Sequence, residues 1–410
     1  MTKEKKQEYL IISILPVILL IYSLIFTPLA ELAEGMKNIF LSNGILVTDY
    51  FITGGKGAAI FNASLVALIN ILFLYKMDMK INGLLISGIY LMFGFSFMGK
   101  NLLNILPFYL GAYAYSKLSR KEFRTVVITC MFSTSLSPIV SSVARVLDFT
   151  PLEIVTAILT GFMLGFIVPP VSAHVLLFHN GYTLYNTGLA GGLISILFYS
   201  VLEAAGFDMN INRKFVETMD YSILSILVAT FFFYIIYGYM KNGNSFSGLK
   251  ELHLHSGRLV SDFTVTEGFP VVVINMGILG FLCLGLIFLL FPIINGPIMS
   301  GLITVTAFAG FGKHIKNVLP VMLGVFLAFY FFGSKVSLTV FAITLFFSTG
   351  LAPISGKFGV VAGIAVGFIN FCLVLKMGSM HGGLNLYNTG LSAGIVASIS
   401  VPILQIFKEV

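Results

Sequence analysis

The chain has 410 residues, of which 57% are hydrophobic and 10% charged, and a mean hydropathy of +0.98, far too apolar for a soluble domain, which is ordinarily about a quarter charged. A formal net charge of +7 carried by so few ionised groups reports a basic membrane rim rather than a nucleic-acid surface. The three cysteines, Cys130, Cys283 and Cys372, lie far apart in apolar runs, which excludes a disulfide framework and a cysteine metal centre.

The apolar runs, about 16 to 23 residues long, exceed the strands of a membrane barrel and suit helices crossing a hydrocarbon core of roughly 30 Å. The opening MTKEKKQEYL and the run after it have the start of a signal peptide, but no small-residue cleavage site follows cleanly, so a retained first helix is expected at 9–29. Further spans are expected at 58–76, 81–98, 102–117, 124–140, 152–173 and 188–206. The second half offers 221–241, 271–291, 296–312, 316–333, 336–350, 357–376 and 389–407. Several are short enough for half-helices or re-entrant hairpins. The expected fold is an all-α polytopic membrane protein with about 14 transmembrane segments, arranged as a first repeat with its N-terminal helix at 1–220 and a second at 221–410.

The two repeats rest on an internal duplication. LVTDYFITGGKGAAIFN at 46–62 returns as LVSDFTVTEGFPVVVIN at 259–275, and polar pairs 213 positions apart, such as Asp49 with Asp262 and Asn62 with Asn275, continue through Asn82 with Asn295 and Lys100 with Lys313. FSTSLSPI from Phe132 then meets FSTGLAPI from Phe347, and HNGYTLYNTGLAGG from His179 meets HGGLNLYNTGLSAG from His381. With about seven spans per copy, an odd number, equivalent helices would cross in opposite directions, an inverted repeat about a pseudo-two-fold axis in the membrane plane. Placing the amino terminus in the cytoplasm and alternating sides puts about two thirds of the 24 basic residues inside, with both termini cytoplasmic.

Four paired motifs carry the chemistry. In the segment 31–57 and its partner from about 245 to 270, Asp49 and Asp262 either cap a surface helix or, if they lie inside the membrane, serve an ion or a gate. GKNLLNILPFYLG and GKHIKNVLPVMLG place Lys100 with Asn104 and Lys313 with Asn317; the lysines either snorkel to headgroups or hold an anion at an entrance, near opposite faces. The helix-breaking Pro138 and Pro353 free backbone carbonyls that must face protein or water, making Ser133, Thr134, Ser348 and Thr349 candidate ligands, unless they bond back to the preceding turn. His179, Asn186 and Thr187, matched by His381, Asn388 and Thr389, offer helix starts whose N–H groups could hold polar substrate groups; the structural alternative is a cap with close glycine packing.

No HExxH, Walker-type loop or Gly-x-Ser-x-Gly elbow occurs, so enzyme chemistry has little to stand on and no cofactor or metal is expected. The paired strings, with GK-x₃-N-x-LP and FST-x-L-x-P, resemble an uncharacterised family of bacterial integral membrane proteins of about this length, which implies no activity. Leu184-Tyr185-Asn186 and Leu106-Pro107 are similar to the Leu-Tyr-x-x-Asn-Gly-type and Leu-Pro motifs of urea channels, in a different order. The expected function is secondary transport of a small polar solute by rocking of the halves in the plasma (inner) membrane; the alternatives are a passive channel for a small neutral solute and a membrane-embedded lipid-modifying enzyme. Expected partners are the solute, Na+ or H+ as coupling ion, lipids and further copies of the chain.

Overall fold

The computed structural model describes residues 3–145, 149–206 and 214–409; the two chain ends, whose sidedness the sequence addressed, lie outside the described residues. Among the described residues the regular structure is helical throughout. The first copy contains α1 (Lys3–Phe26), α2 (Leu29–Leu41), α3 (Tyr50–Thr53), α4 (Gly55–Lys76), α5 (Gly83–Phe95), α6 (Leu102–Leu118), α7 (Phe123–Ser133), α8 (Ser137–Arg145), α9 (Pro151–His179) and α10 (Asn186–Ala204). The second contains α11 (Tyr221–Lys241), α12 (Leu249–Leu252), α13 (Phe263–Thr266), α14 (Phe269–Leu290), α15 (Gly296–Ala307), α16 (Ile315–Phe332), α17 (Leu338–Ser348), α18 (Ala352–Phe358), α19 (Val360–Met380) and α20 (Asn388–Glu409).

Eleven helical stretches among the described residues are long and apolar enough to cross a membrane, with α7–α8 and α17–α18 each counted as one. The shorter α5 and α15 are buried on every side and pack against each other, Gly94 lying against the backbone of Ser300. Such helices show no apolar stripe because no face of them meets water or lipid.

Polar residues set the boundaries. Asn82 and Asn295 cap α5 and α15 by accepting from Leu85 and Ile298 N–H, at 2.8 and 3.0 Å. Asn101 with Asn104 forms a capping box that opens α6, and at the start of α16 the Asn317 side chain likewise accepts from His314 N–H. The prolines of the FST motifs do break their helices: Thr134–Leu136 and Thr349–Leu351 are single 3₁₀ turns inside otherwise continuous runs.

Contacts at helix ends fix the chain path. At one end of the bundle Lys5 pairs with Asp78, and the Tyr9 hydroxyl donates to Met79 O, so α1 begins where α4 finishes. At the other, the Tyr22 and Ser222 hydroxyls lie 2.7 Å apart and Lys56 meets Asp220 at 2.7 Å, so α11 begins where α1 finishes. Met77, Lys117, Arg120 and Arg124 line one surface cleft, which places the entry to α5 and the exit of α6 at the same end. Asn295 Nδ2 donates to Val216 O and to Thr339 Oγ1, both at 2.9 Å, placing the start of α15 at the opposite end, beside the start of α17.

The copies are interlocked rather than merely packed. Leu46 N–H donates to Gly383 O and Leu259 N–H to Gly181 O; Leu184 N–H donates to Gly350 O and Leu386 N–H to Ser135 O, all between 2.8 and 3.0 Å. Each bond has its repeat-related twin, and each joins one copy to the other.

Candidate functional site

The centre of the molecule is where the two Leu-Tyr-Asn-Thr-Gly strings meet. Gly188 and Gly390 let α10 and α20 touch at their first turns: a Cβ on Gly188 would lie 2.9 Å from Gly390 Cα, and one on Gly390 2.7 Å from Gly188 Cα. Just before them, the buried Tyr185 and Tyr387 rings face each other with centroids 4.5 Å apart.

Buried lysines flank the tyrosines. Lys100 and Lys313 are both 0% exposed, so neither snorkels to headgroups nor stands at an entrance. Each sits at the break between a short helix and the next, where a buried asparagine grips the backbone: Asn62 Nδ2 donates to Ser96 O and Lys100 O, and Asn275 Nδ2 to Ala309 O and Lys313 O, at 2.7 to 2.8 Å.

The side chains then differ between copies. Lys313 Nζ donates to the Tyr185 hydroxyl at 2.7 Å and lies over the Tyr185 and Phe308 rings. Lys100 Nζ lies over the Phe95 ring at 5.0 Å but reaches only Met92 Sδ at 3.4 Å and Met131 O at 3.5 Å, while the Tyr387 hydroxyl has no protein partner. The second copy has Val305 where the first has Met92, so only Lys100 has a thioether to lean on.

Two clefts approach this centre. One, of about 180 Å³, is lined by Ile128, Thr129, Asn186, Thr187, Leu259 and Val260 and reaches both tyrosines. The other, of about 50 Å³, is lined by the repeat-related Ile343, Thr344, Asn388, Thr389, Leu46 and Val47. Each therefore draws its walls from both copies.

Several sequence-derived candidates have structural work to do. His179 Nε2 meets Asn186 Oδ1 at 3.0 Å and His381 Nε2 meets Asn388 Oδ1 at 2.9 Å. The asparagine Nδ2 groups donate back to Ser172 O and Val374 O. These are braces across the reversals into α10 and α20, and Tyr185, not Asn186, occupies the N-cap position of α10. Ser133, Thr134 and Thr349 bond back to carbonyls three residues earlier, and Ser348 accepts from Asn370, so the four hydroxyls are engaged within the scaffold.

Asp49 and Asp262 are staples. Asp49 accepts from Phe51 and Val216 N–H within 1–220 and from Gly296 N–H of the second copy; Asp262 accepts from Thr264 and from Gly83 N–H of the first copy. Burial raises the Asp49 carboxyl above its ordinary range, against the pull of those three donors. With their oxygens committed to N–H groups, neither aspartate offers a free ligand. Asn104 and Asn317 accept from the N–H groups of Asn101 and His314 and also donate to Gly99 O and Gly312 O, shaping the turns that carry the lysines.

Tyr185, Tyr387, Phe95, Phe308, Asn62 and Asn275 were not singled out as site residues from sequence. All are kept by the duplication, and that signal could have found them.

A protein-family model described as Protein of unknown function (DUF1576) matches residues 29–204 and 241–406, and the chain belongs to that family. No curated protein and no solved structure is detectably similar to it.

Proposed function

We propose that this member of an uncharacterised membrane-protein family moves a small polar solute across the bilayer, through the centre between its two clefts. The observation that carries the reading is the pair of repeat-related clefts, each built from both copies: one reaches the Tyr185–Tyr387 contact, and the other ends beside it at Phe347, Leu386 and Asn388. Two half-paths meeting at a closed centre suit alternating access.

The proposed topology is inverted. α1 runs toward the end where α11 starts, and the α5–α6 and α15–α16 pairs are re-entrant hairpins entering from opposite ends. Lys5, Lys76, Lys117, Arg120, Lys121, Arg124, Lys241 and Arg258 fall at the end where α1 begins, which is therefore the cytoplasmic end in the bacterial-type inner membrane the sequence suggests.

The interlocking bonds speak against rocking of one whole half on the other, because every such bond would have to part. Local gates at the lysine–tyrosine contacts suit the structure better. The same interlock favours a second reading, a passive channel with side-chain gates.

Reconstitution into vesicles separates these. Uptake of a labelled small solute that is driven uphill by a Na+ or H+ gradient supports the carrier, and flux that only equilibrates supports the channel. Thr187→Ala and Thr389→Ala should each slow the flux several-fold. Absence of flux for every solute in a properly inserted protein would refute the transport reading.

A further inference from the structure

Resting on that transport reading, we propose that the solute is a small monovalent anion, held beside Lys100 Nζ and the Tyr387 hydroxyl on one side of the tyrosine pair and beside Lys313 and Tyr185 on the other.

The donor count points this way. Lys100 brings three N–H groups into a fully buried place where its protein acceptors are a thioether and a carbonyl at 3.5 Å, both weak. Tyr387 adds a buried hydroxyl with no protein partner, and Lys100 Nζ and the Tyr387 ring both border the Phe95 ring, at 5.0 Å and, centroid to centroid, 5.2 Å. Buried donors without acceptors are costly, and a buried ammonium needs an opposite charge. Among the described residues no carboxylate lies within ion-pair distance of Lys100 or Lys313, and Asp49 and Asp262 are committed to backbone N–H groups.

A cation would oppose protonation of both lysines and a neutral solute would not favour it, whereas an anion would hold each buried lysine as an ammonium. A monovalent anion matches one lysine per side. It also explains why the tyrosines sit between the lysines: the path runs from Lys100 past Phe95, Tyr387 and Tyr185 to Lys313. The closed Lys313–Tyr185 bond and the open Lys100–Tyr387 arrangement are then the two settings of one gate, exchanged as the anion crosses.

The test uses the full-length protein in detergent and in vesicles, with sodium formate, nitrate and chloride as probes at constant ionic strength set by gluconate, and urea as the neutral control. At least one probe anion should raise Tm saturably and cross the vesicle membrane. Lys100→Gln and Tyr387→Phe should each weaken that anion's binding about tenfold, some 1.4 kcal/mol, and Lys100→Arg less. Tyr387→Phe keeps the ring, so it carries the test if Lys100→Gln does not fold. Saturable transport of urea or of Na+ alone, indifferent to both substitutions and to every anion, would overturn the anion assignment and leave transport standing. No flux and no binding with any solute would remove both.

Discussion

At the scale of single residues, the asparagines under the lysines are the most exacting. Asn62 and Asn275 each satisfy two carbonyls at a break where the helix ladder has stopped, and each is 0% exposed. Asn62→Ala or Asn275→Ala should therefore cost about 1–3 kcal/mol by leaving buried carbonyls unpaired, seen as a lower Tm or earlier denaturation. The glycines at the axis are equally constrained: Gly188→Val should force α10 and α20 apart, lowering Tm and abolishing flux together. These residues were legible only as repeats. A sequence shows that Asn62 and Asn275 recur at one offset, but which carbonyl an amide reaches depends on chain segments 34 and 38 positions away.

Helices and breaks were legible to a different degree. The 3₁₀ turns at Thr134–Leu136 and Thr349–Leu351 follow from proline and hydroxyl chemistry, and the short spans expected at 81–98 and 296–312 appear as α5 and α15. Asn186 misled because an Asx-Thr-Gly string has the form of a cap, while its amide is claimed by α9. The segment 31–57 resolves into α2, with an exposed face, and a short capped helix that staples the copies.

One junction between elements makes a pH prediction. Burial pushes the Asp220 carboxyl up, but Lys56, the Ser222 hydroxyl and Ile223 N–H more than offset it, so its pKa lies below the ordinary carboxylate range. A lowered folded-state value means the contribution is fully present above the unfolded pKa of about 3.8 and is lost as pH falls below it. Denaturation followed from neutral pH to pH 3 should show this extra acid sensitivity in the wild type. It should be diminished in Asp220→Asn, which should also be slightly less stable at pH 7.

For the molecule as a whole, the duplication dictated more than composition did. Hydropathy announced membrane helices, and the repeat announced a two-fold plan, but interlocking could not be read because hydrogen bonds between copies leave no periodicity in either. The paired bonds of Leu46 with Gly383 and Leu259 with Gly181 tie the two copies into one body, so the motion that the proposed transport requires falls to the lysines and tyrosines at the centre and to the cleft walls. The most direct test places single cysteines at equivalent points of the two clefts, Thr187→Cys and Thr389→Cys, in a background lacking Cys130, Cys283 and Cys372, and probes sealed vesicles of known orientation with a membrane-impermeant maleimide. The two positions should react from opposite sides of the membrane, Thr187→Cys from the cytoplasmic face; labelling of both from one side would contradict the proposed inverted, two-cleft arrangement.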